Sequence, residues 1–541
     1  MRDVDVETGV ELGLIPKFAF RGIQRIEIPK VDSDFANEDY GLSILQKYIP
    51  IALSKHRENA EKEKYLRAYY QGFQDIANKT RLYQKDCINN NQIVENHAFR
   101  QVDFKVGFLT GEHRDYTAKP ETKENKEIKE ELSVLSKYFT DCGFYGKDKD
   151  LKEWIYSVGV GVTYSSPRTD IIQKTGEDDY SLIDDFDITA QSPFEVDTVS
   201  PIENFVVYSS ARGKKPLFCV SIVEVEKDSA SNSTATQKEI HVETRYASFI
   251  LNTNLSYKGI KNWRLEKVKQ NHYLPMIEHY ANSSRMGLVE LNKDLFNSIN
   301  TLVSSIADMV VDNANVILVF KNVDINSEEV KEMKQAGAII IADAQNARQG
   351  STANLDTIKV EIPFDGLNRY YEERLTQAYD IAGVPLASGQ VTSGGDTGQA
   401  RLLGGGWNNA YTIIKNDINS LLLGDIELLR LILYICKLYP DCPIDKLNAS
   451  QIDIKYRINQ SDNFLVKAQG INQLYQSNMP KELILKYSGI SSDIGTESAQ
   501  WEEHDKQVKE QAKKEEVVVE ETGGGGNETK TAQDGNNAEN A

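Results

Sequence analysis

Residues 287–312 read GLVELNKDLFNSINTLVSSIADMVVD. Leu288, Leu291, Leu295, Ile299, Leu302, Ile306 and Met309 recur every three or four positions, and Val303 and Val310 widen the apolar stripe. That spacing predicts an amphipathic helix of about 25 residues, roughly 37 Å long at 1.5 Å per residue. A compact α/β insert follows, with strands expected at 316–320, 338–342 and 357–362. Ser327 caps a helix between the first two, which stops at Gly337. Pro363 ends the third strand. A second helix then runs over about 367–382, carrying Tyr370, Tyr371, Leu375, Ala378 and Ile381. Residues 383–401, GVPLASGQVTSGGDTGQAR, form a small-residue loop before a largely helical stretch at 402–439. An insert hung between two antiparallel helices suggests a stalk with a terminal module. On architecture alone, an ordinary helical hairpin in a large globular protein is the better reading.

Outward from this block the text changes character. Residues 56–70 mix Glu58, Glu61 and Glu63 with Arg57, Lys62, Lys64 and Arg67, the pattern of a solvated helix face. Residues 102–111, VDFKVGFLTG, alternate apolar and polar before closing on glycine, as a strand does. A helix carrying Leu132, Leu135, Tyr138 and Phe139 precedes a second at 150–157, which runs into Val158-Gly159-Val160-Gly161-Val162. Glycine there reads as close packing of another element against a strand. Residues 194–279 are strand-rich, at 205–208, 218–223 and 240–244, with turn-rich spans between. One more strand is expected at 452–458 and short helices at 463–487. Gly523-Gly524-Gly525-Gly526 opens a charged tail that cannot build a core and reads as disordered.

The chain has 541 residues, enough for three to five structural units at about 100–200 residues each. With 40 % hydrophobic and 26 % charged residues it is globular, of α+β, multi-domain class. Its 62 Lys+Arg against 81 Asp+Glu leave a net charge of -19, which excludes tight phosphate gripping by the chain as a whole. Cys87, Cys142, Cys219, Cys436 and Cys442 form no CxxC pair, so reduced thiols in an intracellular protein are expected. No leader is expected, because the N-terminus lacks a basic region followed by an apolar one. The apolar stretch 421–439 contains Asp425, Glu427 and Arg430 and reads as a buried or amphipathic helix.

The enzyme signals are missing. Seven His form no HExxH or HxH, and no GxSxG is present, so no catalytic, metal or cofactor site is expected. Val158 to Tyr164 lacks the third Gly of a dinucleotide fingerprint. The 394–401 loop resembles a phosphate loop, but Gln399 and Ala400 stand where Lys and Ser/Thr engage phosphate and Mg²⁺.

A series of segments in order, from about residue 60 to residue 500, resembles the portal proteins of long-tailed bacteriophages, of the type common in phages of Gram-positive hosts. Ile76 to Arg81, Asn89 to Asn96 and Val102 to Gly111 are similar to the family's Asn-punctuated lead into a "V-D-x-K-x-G-[FY]-L-x-G" strand. Asp148 to Tyr164 resembles its helix and glycine-bearing strand, and Ser200-Pro201 with Phe205 to Tyr208 its "P-x-x-x-[FI]-x-V-Y" segment. His279 to Asn282, Gly287 to Glu290 and the helix with Asn300 and Ser304-Ser305 resemble "Y-x-N-x-x-x-x-G-x-x-E" before a stem helix. Ile381 to Pro385 and the Ser/Gly loop resemble the tunnel-loop entrance. Two departures stand: Thr397 to Leu402 only approximates "S-G-x-A-L", and Gly404 to Gly406 interrupts a helix that the family keeps continuous.

The resemblance implies a portal-protein fold with wing, stem, clip, tunnel loop, tunnel helix and crown, assembled as a closed ring, usually of twelve subunits. Carried onto this chain, 1–287 is the α+β wing region, 288–312 a stem helix, 313–365 the clip and 366–384 the second stem helix. Residues 385–398 become the tunnel loop, 399–460 the tunnel helix and remaining wing, 461–510 the crown and 511–541 an acidic disordered tail. The DNA-facing residues implied are Ser388, Gly389, Gln390, Thr392, Ser393, Gly394, Gly395, Asp396, Thr397 and Gly398. Lys331, Lys334, Arg348, Arg369, Arg374 and Arg401 are candidates for facing DNA or the packaging motor, and ordinary ion-paired surface charge explains each at least as well. The implied role is a non-enzymatic DNA conduit at one capsid vertex of the virion, assembled in the host cytoplasm. Implied partners are double-stranded DNA, the terminase large subunit, major capsid and scaffolding proteins and a head–tail adaptor, with no membrane and no cofactor. A different virion structural protein, or a nucleotide-dependent enzyme using the 394–401 loop, are the alternatives.

Overall fold

The computed structural model describes residues 22–29, 38–78, 90–119, 125–168, 170–174, 180–183, 185–226, 236–245, 248–252, 257–260, 273–314, 317–321, 339–343, 354–358, 363–386, 407–439, 441–458, 464–477, 479–488, 498 and 500–508. The chain divides into a first unit, 1–459, and a second, 460–541.

In the first unit, β1 (Ile26–Ile28) is followed by the long helix α1 (Glu38–Tyr70). Leu45, Ile49 and Ala52 on α1 recur at helical spacing and are fully buried with Phe205, Val207, Phe218 and Phe249. Next comes α2 (His97–Thr110), where the alternating text predicts a strand. The strand expectation is wrong. Ala98, Gln101, Val102, Lys105, Val106, Phe108 and Leu109 are all buried, a helical stripe that alternation over a short window imitates. Asn96 starts it, its side chain accepting from the Phe99 backbone N–H.

After β2 (Asp115–Ala118), helices α3 (Lys126–Asp141) and α4 (Phe144–Val158) lead into β3 (Gly161–Pro167). Gly159 is not in the strand but ends α4, at φ 116°, and a Cβ there would lie 2.3 Å from the Arg285 carbonyl oxygen. Only glycine meets both demands. The hairpin β4 (Ile172–Lys174) and β5 (Tyr180–Leu182) precedes β6 (Phe194–Val199), β7 (Asn204–Ser209), β8 (Pro216–Glu226), β9 (Thr236–Thr244), β10 (Ser248–Asn252), β11 (Tyr257–Ile260) and β12 (Met276–His279). One sheet has the order β1-β7-β8-β9-β10-β11, antiparallel except where β1 pairs in parallel with β7. A second, β12-β3-β6, is antiparallel throughout.

The stretch quoted first is α5 (Leu288–Ala314), 27 residues long. The insert contributes β13 (Ile317–Lys321), β14 (Ile339–Asp343) and β15 (Asn354–Ile358), in the order β14-β13-β15. β13 and β14 pair in parallel, which demands a crossover through 322–338. The helix expected there lies outside the described residues. β15 begins three residues before the strand expected at 357–362, because Asn354 already pairs with Lys321. Helix α6 (Phe364–Ala382) returns and closes on Gly383 in the left-handed region, and α7 (Trp407–Cys436) follows. β16 (Ile452–Lys455) pairs with β2.

The second unit contains α8 (Phe464–Gln476), α9 (Lys481–Ser488) and helical residues at 500–508. Tyr475 stacks on Trp501 with centroids 5.5 Å apart, and Lys481 pairs with Asp505. The tail expected to be disordered lies outside the described residues. No helix among the described residues is long and apolar enough to cross a membrane.

Candidate functional site

The helix pair α5 and α6 is tied to α2 by a fully buried polar knot. The Asn292 amide N–H donates to Gln101 Oε1 at 2.9 Å and to the Ala378 carbonyl at 3.0 Å. Gln101 Nε2 donates to the same carbonyl at 3.1 Å. All three residues are at 0 % exposure, so the knot sits where water cannot replace a lost partner. Removing one member leaves an orphaned group, at roughly 1–3 kcal/mol.

A second device runs along α5. The backbone N–H groups of Asn91, Ile93 and Glu95 donate to Asp308 Oδ1, Ser304 Oγ and Asn300 Oδ1 at 2.9, 3.0 and 2.9 Å. Four helical residues rise about 6 Å, and two extended residues span about 6.6 Å. Every second N–H of the extended segment therefore meets every fourth side chain of the helix, with the two chains antiparallel. Tyr371 on α6 donates to Glu95 Oε2 at 2.8 Å, and His97 lies 3.0 Å from that oxygen and 3.2 Å from the Tyr379 hydroxyl. Residues 91–97 thus bind both helices.

The third device anchors α7. Arg114, with a side chain 3 % exposed, contacts Asp148 and holds Asp425 Oδ2 at 2.9 Å. Lys152 Nζ lies 3.4 Å from Asp148 and donates to the Tyr456 hydroxyl, which in turn donates to Asp425. His279 Nδ1 lies 3.6 Å from Asp425 Oδ1, and its Nε2 lies 3.0 Å from Thr163 Oγ1. Desolvation works against the Asp425 carboxylate, but Arg114, Lys152 and His279 together outweigh it and hold the carboxyl well below its ordinary range. Burial pushes His279 down to about 4 against the pull of Asp425, so the imidazole is neutral. Gly424 seats the ring: a Cβ there would lie 2.4 Å from His279 Nδ1. One turn earlier but one, Asp417 accepts from Tyr156 at 3.0 Å and lies 3.7 Å from Lys105.

Of the residues singled out from sequence, Arg369 and Arg374 lie on α6. Arg369 Nε pairs with Glu373 at 3.3 Å, and Arg374 lies over the Tyr370 ring at 4.8 Å while donating to Gln377. Ser388, Gly389, Gln390, Thr392, Ser393, Gly394, Gly395, Asp396, Thr397, Gly398 and Arg401 lie outside the described residues, as do Lys331, Lys334 and Arg348. Among the described residues, no group of three or more His, Cys, Asp or Glu could hold a metal ion. Sequence reasoning missed the knot and the Arg114 network, whose members are scattered over hundreds of positions. The α5 ladder had a readable signal, since Asn300, Ser304 and Asp308 repeat every four residues.

The first two devices tie the long helix α5 and the returning helix α6 to α2 and to residues 91–97, and the third holds α7. A family model described as phage portal protein, SPP1 Gp6-like, matches residues 52–511, most of the chain. No curated protein matches it.

Proposed function

The chain belongs to the SPP1 Gp6-like family of phage portal proteins and has a phage portal function, and from that premise we propose the part each segment plays. The family is one of structural virion proteins, components of the capsid, and its members form homo-oligomeric rings. In our reading this chain forms a ring of about twelve subunits at one capsid vertex. Helices α5 and α6 are the stem, and the β13–β15 insert is the clip that meets the terminase large subunit and later the head–tail adaptor. Residues 385–398 form the tunnel loop, α7 the helix behind it, and 461–510 a crown. The 288–382 helix–sheet–helix order within the family match carries this reading, because two contacting helices with a sheet inserted between them are what a stalk with a terminal module requires. The α5 ladder and the Gln101 knot support it physically, since a stalk that transmits load needs its two helices held in register.

A conduit must guide DNA without gripping it. DNA carries one charge per roughly 1.7 Å, and a strongly basic wall would bind it by counterion release. A chain of net charge -19 with a loop of Ser, Gly, Gln and Thr lets DNA slide. Arg369 and Arg374 already hold partners on α6, so any hold they exert on DNA is local and weak. No chemistry is assigned to this chain; ATP hydrolysis belongs to the terminase that docks on the clip.

Negative-stain imaging and native mass of the protein co-expressed with its capsid proteins test the ring. A ring of about twelve copies with a central hole is expected, and a compact dimer would overturn the assignment. Shortening 388–398 should abolish DNA packaging while leaving the ring intact, and normal packaging would remove the loop from the tunnel.

A further inference from the structure

Lys105 on α2 and Asp417 on α7 meet inside one apolar core. Val102 and Leu109 flank Lys105 a turn away on either side, and Ile414 and Leu421 do the same for Asp417; all four are at or below 2 % exposure. The Lys105 side chain is 1 % exposed, and its Nζ lies 3.7 Å from Asp417 Oδ2. The Tyr156 hydroxyl donates to the same oxygen at 3.0 Å, and the Tyr156 ring centroid lies 6.0 Å from Nζ. An amine, a carboxyl group and an O–H donor on that carboxyl's oxygen, set among apolar side chains, are the parts of an amide-forming site.

We propose that Lys105 and Asp417 join through an isopeptide bond, a self-formed cross-link between α2 and α7. The amine lone pair attacks Asp417 Cγ, and the carbonyl electron pair moves onto Oδ2, where the Tyr156 O–H stabilises the developing charge. One proton of the attacking nitrogen passes to the Oδ1 hydroxyl. The Cγ–Oδ1 bond then breaks, water leaves and the carbonyl re-forms. One amine and one carboxylic acid become one amide and one water, with no oxidant, reductant or co-reactant. The attack needs an approach of about 3–3.5 Å, which the flexible four-carbon lysine stem can close from the observed separation.

The surroundings favour the reacting forms. Burial drives the Lys105 amine down against the pull of Asp417, and drives the Asp417 carboxyl up against the pull of Lys105 and Tyr156. Both therefore move towards the neutral state, an amine with a free lone pair and a carboxyl with a hydroxyl to lose. Burial, with the Asp417 charge, drives the Tyr156 phenol well up, so it remains a donor. Lys152 lies 3.4 Å from Asp148, but there Arg114 shares the carboxylate and the amine donates to Tyr456. Among the described residues, no arginine reaches Asp417. Because α2 also carries the Gln101 knot, the bond would tie α7 covalently to the helix that holds α5 and α6. That use in a stalk rests on the portal reading, whereas the bond itself does not.

The test takes the folded full-length protein after long incubation at neutral pH, measures its mass under denaturing conditions and maps its tryptic peptides by tandem mass spectrometry. A mass lower by one water is expected, with a branched peptide joining the segments around Lys105 and Asp417 and no cleavage after Lys105. Asp417→Asn should form the same bond with loss of ammonia, and Lys105→Arg should abolish it. Tyr156→Phe should slow its formation by about a hundredfold, the loss expected for one oxyanion donor. An undiminished mass with trypsin cutting after Lys105 overturns the proposal and leaves a buried ion pair. Water lost from a linear peptide containing Asp417, the mark of a succinimide, overturns it equally. An unchanged rate in Tyr156→Phe overturns the part given to Tyr156.

Discussion

Replacing Asp425 by Ala tests whether the buried charge network anchors α7. Asp425 is the partner of Arg114 Nη1 at 2.9 Å, and both side chains are at or below 3 % exposure. Breaking such a pair from one side typically costs about 3–5 kcal/mol, because the surviving charge stays buried. Arg114 keeps Asp148, which places the expected loss near the lower end of that range. At about 2–4 °C per kcal/mol for a large domain, the melting temperature should fall by roughly 6–12 °C. Differential scanning calorimetry of the purified protein reads this directly. The partner variant Arg114→Met/Asp425→Leu removes both charges, and should recover part of the loss even though Asp148 is left with Lys152 alone. The reasoning fails if Asp425→Ala melts within 1–2 °C of wild type, a shift of less than about 1 kcal/mol. It fails equally if the double variant is less stable than wild type by the full sum of the two single truncations, which would make packing rather than charge the cause.

Three further outcomes follow from the same geometry. Asn292→Leu leaves the Ala378 carbonyl with Gln101 alone and orphans Gln101 Oε1, so it should cost about 1–3 kcal/mol and raise amide exchange across Phe364–Ala382 in hydrogen-exchange mass spectrometry. Gly424→Ala drives a methyl group to 2.4 Å from His279 and should lower stability by about 1–3 kcal/mol, an effect that His279→Ala would relieve in the double variant. The third concerns pH, where two buried groups act in opposite directions. His279 is held down to about 4 from 6.5, so the unfolded chain binds the extra proton first and stability is lost as pH falls from 6.5 towards 4, by at most about 3 kcal/mol. Desolvation, with the neighbouring Glu278 charge, raises Glu63 to about 8, so the folded chain holds the extra proton and stability is lost as pH rises from 4.5 towards 8. Urea unfolding of Glu63→Gln should therefore show a gain over wild type that grows with pH across that window, and a pH-independent difference would refute it.

How much of this was legible in the chain depends on the length of each signal. The 287–312 stripe repeats over seven turns, a period that only a helix puts on one side, although packing buries Val289, Asn292, Phe296, Asn300 and Ser304 more deeply and leaves Leu291, Leu295, Leu302, Ile306 and Met309 half-exposed. The strands at 204–209, 216–226 and 236–244 were legible for the matching reason, β-branched and aromatic residues bounded by turn residues. Residues 102–109 were not, because eight positions satisfy both periods until the neighbours of Gln101 and Lys105 are known. Those buried polar residues look like the solvated side of a strand and are instead satisfied by Ala378 and Asp417.

The sequence by itself determined the long helices, the strand-rich middle, the helix–insert–helix order and, through ordered segments from end to end, membership of a phage portal family. These are properties of near neighbours along the chain, where side-chain period and turn chemistry act. The tertiary structure alone decided which polar groups are buried together: Gln101 with Asn292, 191 residues apart, and Arg114 with Asp425 across the fold. A buried amide or charge is tolerated only where a partner waits, and that partner is chosen by packing between distant elements, which no local pattern records.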